Sequence, residues 1–292
     1  MTGSPPRAAT GPEHRVTIVV ATRDRRDDLE RSLAHHEAPV IVVDNGSSDA
    51  TVEAVRRRPG AEVVALGANR GAAARNVGVA RARTRYVAFA DDDSWWAPGA
   101  LARAADVLDA HPRLGLLAAR ILVGASGEPD PVCAEMSTAP LGTRPDLPGP
   151  SVLGFLACGA VVRRTAFLAA GGFDDVVFFF GEEERLALDL AAAGWGLAYV
   201  PDVTAIHCPS PARDPRGRRA LAARNSVLTA CLRRPWRVVG QRVVDAVRGG
   251  PAARAGLAAA VPRLPRAFAR RRTLPPPVEA ARRLLDELPP VG

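Results

Sequence analysis

Apolar, β-branched runs of strand length alternate with stretches of helical period through the first third of the chain. Strands are expected at 16–21, 40–43, 62–66 and 85–90, and charged or mixed helices at 24–34, 49–58 and 71–82 between them. Runs that are apolar at every position are buried on both faces, so single intervening helices imply βαβ units and a parallel sheet. The punctuation agrees: Ser48 or Asp49 suits the cap of the second helix, and Gly60 lies beyond its end. Periodicity weakens over 121–150, which reads as a long surface loop or small lobe. It returns at 152–173, and a β-branched, aromatic run at 176–180 reads as a strand delivered into Gly181 and three glutamates. A helix over 182–193, closed by Gly194, and a short strand at 196–200 follow. The Pro-rich 208–215 reads as a linker, 218–232 as an Arg/Ala-rich helix, and the chain beyond 252 as a loose, partly disordered tail.

Composition makes this a globular chain: 292 residues, 47% hydrophobic and 24% charged, with enough length for one large or two modest domains. The cysteines at 133, 158, 208 and 231 form no C-x-x-C, which argues against a disulfide framework or zinc ribbon and fits a reducing compartment. The longest apolar run, 151–162, falls short of the ~20 residues that span a bilayer. Residues 1–14 are polar and read as a disordered lead-in, not a signal peptide. The expected location is therefore cytoplasmic.

The net charge of +8 rests on arginine alone, because the chain has no lysine. It divides into −5 over 1–209 and +13 over 210–292, an acidic body with a basic tail. Such a tail meets an anionic surface or packs on the body itself. The Arg and apolar residues of 218–232, with Trp236 beyond, suit the cytoplasmic face of an anionic membrane. Nucleic acid is a poor partner, since the body is acidic and carries no readout motif.

In open α/β sheets ligands sit beyond the carboxyl ends of the strands. Four polar loops fall there: Thr22-Arg23-Asp24-Arg25, residues 44–49, Asn69-Arg70-Gly71 and Asp91-Asp92-Asp93. Three consecutive aspartates repel one another and favour a hard divalent ion that holds substrate phosphates. The competing reading is a cap for the helix that begins near Pro98.

The succession 16–25, 40–49 (VIVVDNGSSD), 69–78 (NRGAAARNVG), 86–93 (YVAFADDD), 171–174 (GGFD), 181–186 and 199–207 (YVPDVTAIH) resembles the family 2 glycosyltransferases, in the family's order over 16–207. The resemblance implies a GT-A fold: an α/β domain over 15–209 with a Rossmann-like, mostly parallel nucleotide-binding sheet, followed by a helical, Arg-rich extension over 210–292. It further implies a nucleotide-diphosphate-sugar donor (UDP- or dTDP-sugar), Mn²⁺ or Mg²⁺ held through a D-x-D element, and transfer with inversion. Thr22 and Asp44 match the nucleoside-binding positions. Asn69, Arg75 and Asn76 match the second nucleotide loop, with Arg75 a fork donor toward the diphosphate. Asp93, with Asp91 and His207, matches the metal ligands, and Asp91 or Asp92 faces the ribose. Glu183 is the expected base, with Glu182 and Glu184 competing, because this chain has Glu182-Glu183-Glu184-Arg185 where the family commonly has Glu-Asp.

Trp95 and Trp96 are expected to stack on the acceptor, with core packing as the alternative, and 154–161 (GFLACGAV) to wall it from below. Acceptors of this class are hydroxyls of a lipid-linked saccharide, a polymer or a small natural product. Two other readings are a nucleotide-sugar-binding protein without turnover and a polyanion-binding protein acting through its tail. A nucleotidyltransferase is excluded, since its catalytic lysine has no counterpart here.

Overall fold

The computed structural model describes residues 13–124, 126–209 and 215–288, so most of the expected lead-in lies outside the described residues. The first half runs β1 (Val16–Thr22), α1 (Arg26–Leu33), β2 (Val40–Asp44), α2 (Thr51–Arg56), β3 (Ala61–Ala65), α3 (Ala74–Arg81) and β4 (Tyr86–Ala90). β1 pairs in parallel with both β2 and β4, and β2 with β3. Residues 40–44 and 86–90 are buried throughout, as all-apolar strands require when helices cover both faces. Thr22 and Asp44 stand opposite one another at the strand ends, so the loops beyond them open on the same rim.

Beyond β4 the sheet turns mixed. The elements are β5 (Ser94–Trp96), α4 (Ala100–Ala110), β6 (Leu114–Val123), β7 (Glu128–Pro129), α5 (Pro131–Ser137), β8 (Ala160–Arg163), α6 (Arg164–Ala169), α7 (Glu182–Ala192) and β9 (Gly196–His207). Strand order is β3-β2-β1-β4-β8-β6-β9-β5, with β7 paired to β6. β8 runs antiparallel to β4 and β6, while β9 runs parallel to β6.

The strand expected at 196–200 continues to His207. Its register against β6 jumps from Ala119↔Val200 to Arg120↔Thr204, looping out Pro201, which has no N–H to give the ladder. After this bulge β9 pairs antiparallel with β5, and His207 falls opposite Ser94.

The aromatic run at 176–180 is not a strand. Phe178 and Phe180 adopt left-handed φ values of 75° and 72°, a conformation costing about 1–3 kcal/mol each in bulky residues. Val176 and Val177 are spent as apolar anchors for the C-terminal helices, packing with Val227, Leu228, Leu232, Val238 and Val239.

Those helices correct the expectation of a loose tail: α8 (Pro215–Arg233), α9 (Trp236–Arg248), α10 (Gly250–Ala260), α11 (Leu264–Ala269) and α12 (Pro276–Asp286). Prolines stand in the first turn of α10, α11 and α12, where a missing N–H costs nothing. Gly256 allows α10 to lie on α8, because a Cβ there would sit 2.1 Å from the Ala220 carbonyl oxygen. Much of the basic charge meets the acidic body: Arg233 bonds Asp189 at 2.6 Å, Arg266 bonds Asp175 at 2.6 Å and Arg282 bonds Glu184 at 2.7 Å. Among the described residues no helix is long and apolar enough to cross a membrane.

One histidine outside the rim affects stability. Neither ring nitrogen of His36 has a hydrogen-bond partner among the described residues. Burial, then the nearby Arg58 charge, pushes its pKa down to about 4. The unfolded chain takes up this proton near pH 6.5, whereas the folded one resists it to about pH 4, so stability falls as pH drops through that window. A loss of up to about 3 kcal/mol is expected across it. Thermal melts between about pH 7 and pH 5 should show a slope that flattens in His36→Leu, and an equal slope in both proteins removes His36 as the cause.

Candidate active site

The loops at the ends of β1, β3 and β4, the Gly154–Cys158 segment and the N-terminus of α7 enclose a cleft of 870 Å³. Of the residues singled out from sequence, Thr22, Asn69, Arg75, Asp91, Asp92, Asp93, Glu182, Glu183 and His207 line it.

The Thr22 hydroxyl donates to Asp92 at 2.9 Å, tying the first loop to the fourth. Asp92 is pushed up to about 6 by burial first and then by the charges of Asp91 and Asp93. Arg25, from the first loop, offers partial compensation at 3.5 Å from Asp92 and 3.7 Å from Asp93. The β5–β9 pairing brings the His207 Nε2 to 3.4 Å from the Asp93 Oδ1.

Donor atoms of Asp91, Cys158 and His207 all lie within 4.8 Å of one another. Burial pushes the Cys158 thiol well above its ordinary range, so it stays a neutral S–H. The remaining oxygen and imidazole donors of Asp91, Asp93 and His207 fit a hard or borderline divalent ion such as Mg²⁺ or Mn²⁺.

The glutamates at the start of α7 are separated by their surroundings. Glu182 is 2% exposed, its Oε1 is 4.0 Å from Arg75, and its Oε2 has no hydrogen-bond partner. Burial first, then the Glu183 charge, pushes Glu182 up to about 8. Glu183 is only partly buried, and its pKa is raised, burial being the main cause. Glu184 is held by Arg282 of α12 at 2.7 Å. Arg75, itself buried, bonds Asp91 and stands over the Phe173 ring at 5.7 Å, joining the α7 glutamates to the aspartate loop. Arg185 is enclosed between Asp174 and Asp189 and faces away from this chemistry.

Four expected residues are not on the cleft wall. The Asp44 carboxylate accepts from the Gly46 and Ser47 amides and the Ser47 hydroxyl, so it shapes its own loop. Asn76 exchanges two hydrogen bonds with the Phe173 backbone, at 2.8 and 2.9 Å, and latches the GGFD turn to α3. Trp96 is core, 3% exposed with its indole N–H donating to the Phe89 carbonyl, and Trp95 stacks on His35 with centroids 4.4 Å apart. Of the two rings expected to stack on an acceptor or pack in the core, β5 turns Trp96 into the sheet, which is the core-packing alternative, and Trp95 toward α1.

Sequence reasoning missed the residues that hold the loops together. Asn45 accepts from the Arg70 amide at 3.0 Å and donates to the Gly71 carbonyl at 3.2 Å, joining the second loop to the third. Gly71 has φ of +59°, and a Cβ there would lie 2.3 Å from the Phe178 carbonyl oxygen, so only glycine lets the third loop approach the 176–180 turn. On α8, Arg224 donates to the Val177 carbonyl at 3.0 Å and Asn225 to the Phe179 carbonyl at 2.6 Å. These two clamp the left-handed turn that delivers the glutamates. The signal available was the polar pair Arg224-Asn225 ahead of the mostly apolar 227–232 stretch of α8, without any indication of its distant partner.

Comparisons with known proteins bear on this arrangement. Residues 17–169 match the family model described as Glycosyl transferase family 2. The pre-mycofactocin glycosyltransferase of Mycobacterium tuberculosis is 35% identical over 217 residues, covering 69% of this chain and 44% of that protein. The chain therefore spans less than half the length of that relative. The N-acetylglucosaminyl-diphospho-decaprenol L-rhamnosyltransferase of the same organism is 28% identical over 250 residues, covering 70% of this chain and 80% of that one. Among solved structures, the mannosyltransferase PcManGT from Pyrobaculum calidifontis, in complex with GDP-Man and Mn²⁺, aligns with a TM-score of 0.59 at 23% identity, covering 91% of this chain and 76% of that one. S. aureus TarS in complex with UDP-GlcNAc aligns with a TM-score of 0.58 at 18% identity, covering 92% and 88%. These likenesses establish a GT-A fold. With more than half its length matched by the family model, this chain belongs to glycosyl transferase family 2.

Proposed function

We propose that the chain transfers a sugar from a nucleotide-diphosphate-sugar donor, a UDP- or dTDP-sugar, to an acceptor hydroxyl, with inversion and with Glu183 as general base. The observation that carries this reading is the cleft itself, where Asp91, Asp93 and His207 face a partly buried Glu183 across one enclosed volume. Asn69 and the Thr22 loop hold the nucleoside end, with Asp44 and Asn76 fixing the backbone on which it rests. Asp91, Asp93 and His207 are the residues that would hold a divalent cation, which when bound neutralises charge developing on the departing diphosphate.

Glu183 orients the acceptor hydroxyl and takes its proton. The hydroxyl oxygen bonds to the anomeric carbon as the carbon–oxygen bond to the diphosphate breaks, its electron pair leaving with the nucleoside diphosphate. A single displacement of this kind inverts the anomeric centre. Three features favour Glu183: Arg282 occupies Glu184, Arg75 and burial keep Glu182 back, and a raised pKa makes Glu183 a better match to neutral pH than an ordinary carboxylate.

The named activities of the two mycobacterial relatives support a lipid-linked saccharide or a small natural product as acceptor. A cytoplasmic, peripheral placement on an anionic membrane is supported by exposed Trp236 and Phe268, whose rings lie 5.7 Å apart beside Arg271.

A panel of UDP-, dTDP- and GDP-sugars with Mn²⁺ or Mg²⁺ tests the reading. At a hundredfold excess over Kd the true donor stabilises the fold by about 2.7 kcal/mol, and it releases nucleoside diphosphate when acceptor is supplied. A thermal shift with every acceptor class failing to elicit release favours binding without turnover.

A further inference from the structure

A second cavity, of 1030 Å³, lies between the start of α3, the 170–178 turn and the C-terminal helices, and shares only Asn69 and Phe178 with the catalytic cleft. Its lining carries eight arginines against two carboxylates, Asp174 and Asp175. Asp175 is already engaged by Arg266 at 2.6 Å and by Arg270, and Asp174 lies 3.4 Å from Arg185. Arg70 and Arg272 remain exposed on the wall with no ion pair among the described residues. Arg185 is more than nine-tenths buried, and its Nε has no hydrogen-bond partner.

Asp189, just outside the lining, pairs with both Arg185 and Arg233, so eight arginines face three carboxylates and five formal positive charges are uncompensated. Arg185 registers the excess: burial, then the Arg233 charge, brings its pKa down to about 9, with Arg270 and Arg272 adding to the effect. Like charges gathered around an open volume oppose folding unless a counter-charge enters. Guanidinium forks match phosphate oxygens bidentately, so the fitting counter-charge is a phosphoryl group. The volume is far larger than one phosphate ion needs, which leaves room for a diphosphate and what it is attached to.

We propose that this cavity is a second binding site, separate from the nucleotide-sugar cleft, for a phosphorylated ligand of the diphosphate or phosphorylated-saccharide class. Arg70, Arg272 and the buried Arg185 are its principal donors, and the proposal does not depend on glycosyl transfer. The ligand's chemistry is shared by soluble phosphorylated compounds and by phosphorylated lipid headgroups.

Isothermal titration of the full chain with sodium pyrophosphate, in EDTA so that the aspartate site holds no metal, tests it. Saturable binding is expected, weakening with salt. The double variant Arg70→Ala/Arg272→Ala is expected to lose affinity by at least about tenfold, and Asp93→Ala to keep it. Both arginines are exposed and form no ion pair among the described residues, so circular dichroism of the double variant should match wild type; Arg272→Glu gives an independent charge reversal. Displacement of pyrophosphate by phosphatidic acid vesicles, and not by phosphatidylcholine alone, assigns the site to a lipid headgroup; no displacement assigns it to a soluble ligand. Absence of saturation, equal affinity in the arginine variants, or loss of binding in Asp93→Ala overturns the proposal, and none of these results alters the case for Glu183.

Discussion

Glu183→Gln is expected to lower turnover by about 10²–10⁴-fold while leaving donor affinity nearly unchanged. Glutamine keeps the shape and the hydrogen-bonding reach of the side chain but cannot take the acceptor's proton. Fold and nucleotide site should be intact, since among the described residues no ion pair to Glu183 contributes to the docking of α7. The neighbours supply the controls. Glu182 is pushed up to about 8, so it is already largely protonated at neutral pH, and Gln there mimics the resident neutral acid. Glu184→Gln removes only the partly exposed pair with Arg282, for which about 0–1 kcal/mol is expected.

The pH profile should follow the same residue. A base must be ionised to act, and burial raises the Glu183 pKa, so kcat/KM in the wild type should fall on the acid side at a higher pH than an ordinary carboxylate gives. Steady-state nucleoside diphosphate release across pH measures both quantities. Wild-type turnover in Glu183→Gln, with Glu182→Gln inactive, would move the base to Glu182.

The parts of this architecture that could be read from sequence are those with local causes. β1, β2 and β4 are apolar at nearly every position because helices cover both faces, and that burial is written directly in the residues. The Asp91–Asp93 loop was visible because polar residues that end a buried strand have nowhere to go but the sheet's rim. What was not legible depends on distant partners. The 176–180 run has strand composition, yet its valines are consumed by α8 and α9, and its turn is held by Arg224 and Asn225 some 45 residues away.

Prolines misled twice, for different reasons. Pro201, lacking an N–H, marks a strand end in the sequence, yet a bulge carries β9 on to His207. Prolines 262, 265, 276 and 277 suggested a broken tail where they stand in the opening turns of helices. At Trp95 and Trp96 nothing local distinguishes an aromatic ring turned into the sheet from one turned toward a ligand, and it is Trp96 that packs in the core.

The second large effect is expected at Asp93. Asp93→Ala should abolish the metal-dependent part of donor binding and lower turnover by at least about 10²-fold, since the electrostatic stabilisation supplied by a bound cation is worth several kcal/mol. Stability in EDTA should move the other way or not at all. Asp91, Asp92 and Asp93 are like charges in one loop, and their repulsion, after burial, is what holds Asp92 up near 6. Removing one of the three relieves that repulsion at the expense of the Arg25 and His207 contacts at 3.7 and 3.4 Å. Function and stability therefore oppose each other at this position, as they do where charge is concentrated for binding. His207→Ala should weaken metal dependence without the gain in stability, because imidazole adds no negative charge to the loop. Differential scanning fluorimetry with and without Mn²⁺, read beside nucleoside diphosphate release, separates the two effects. Turnover in Asp93→Ala equal to wild type, or wild-type turnover indifferent to EDTA, would leave the aspartates as ribose and loop-shaping groups and the cation without a role.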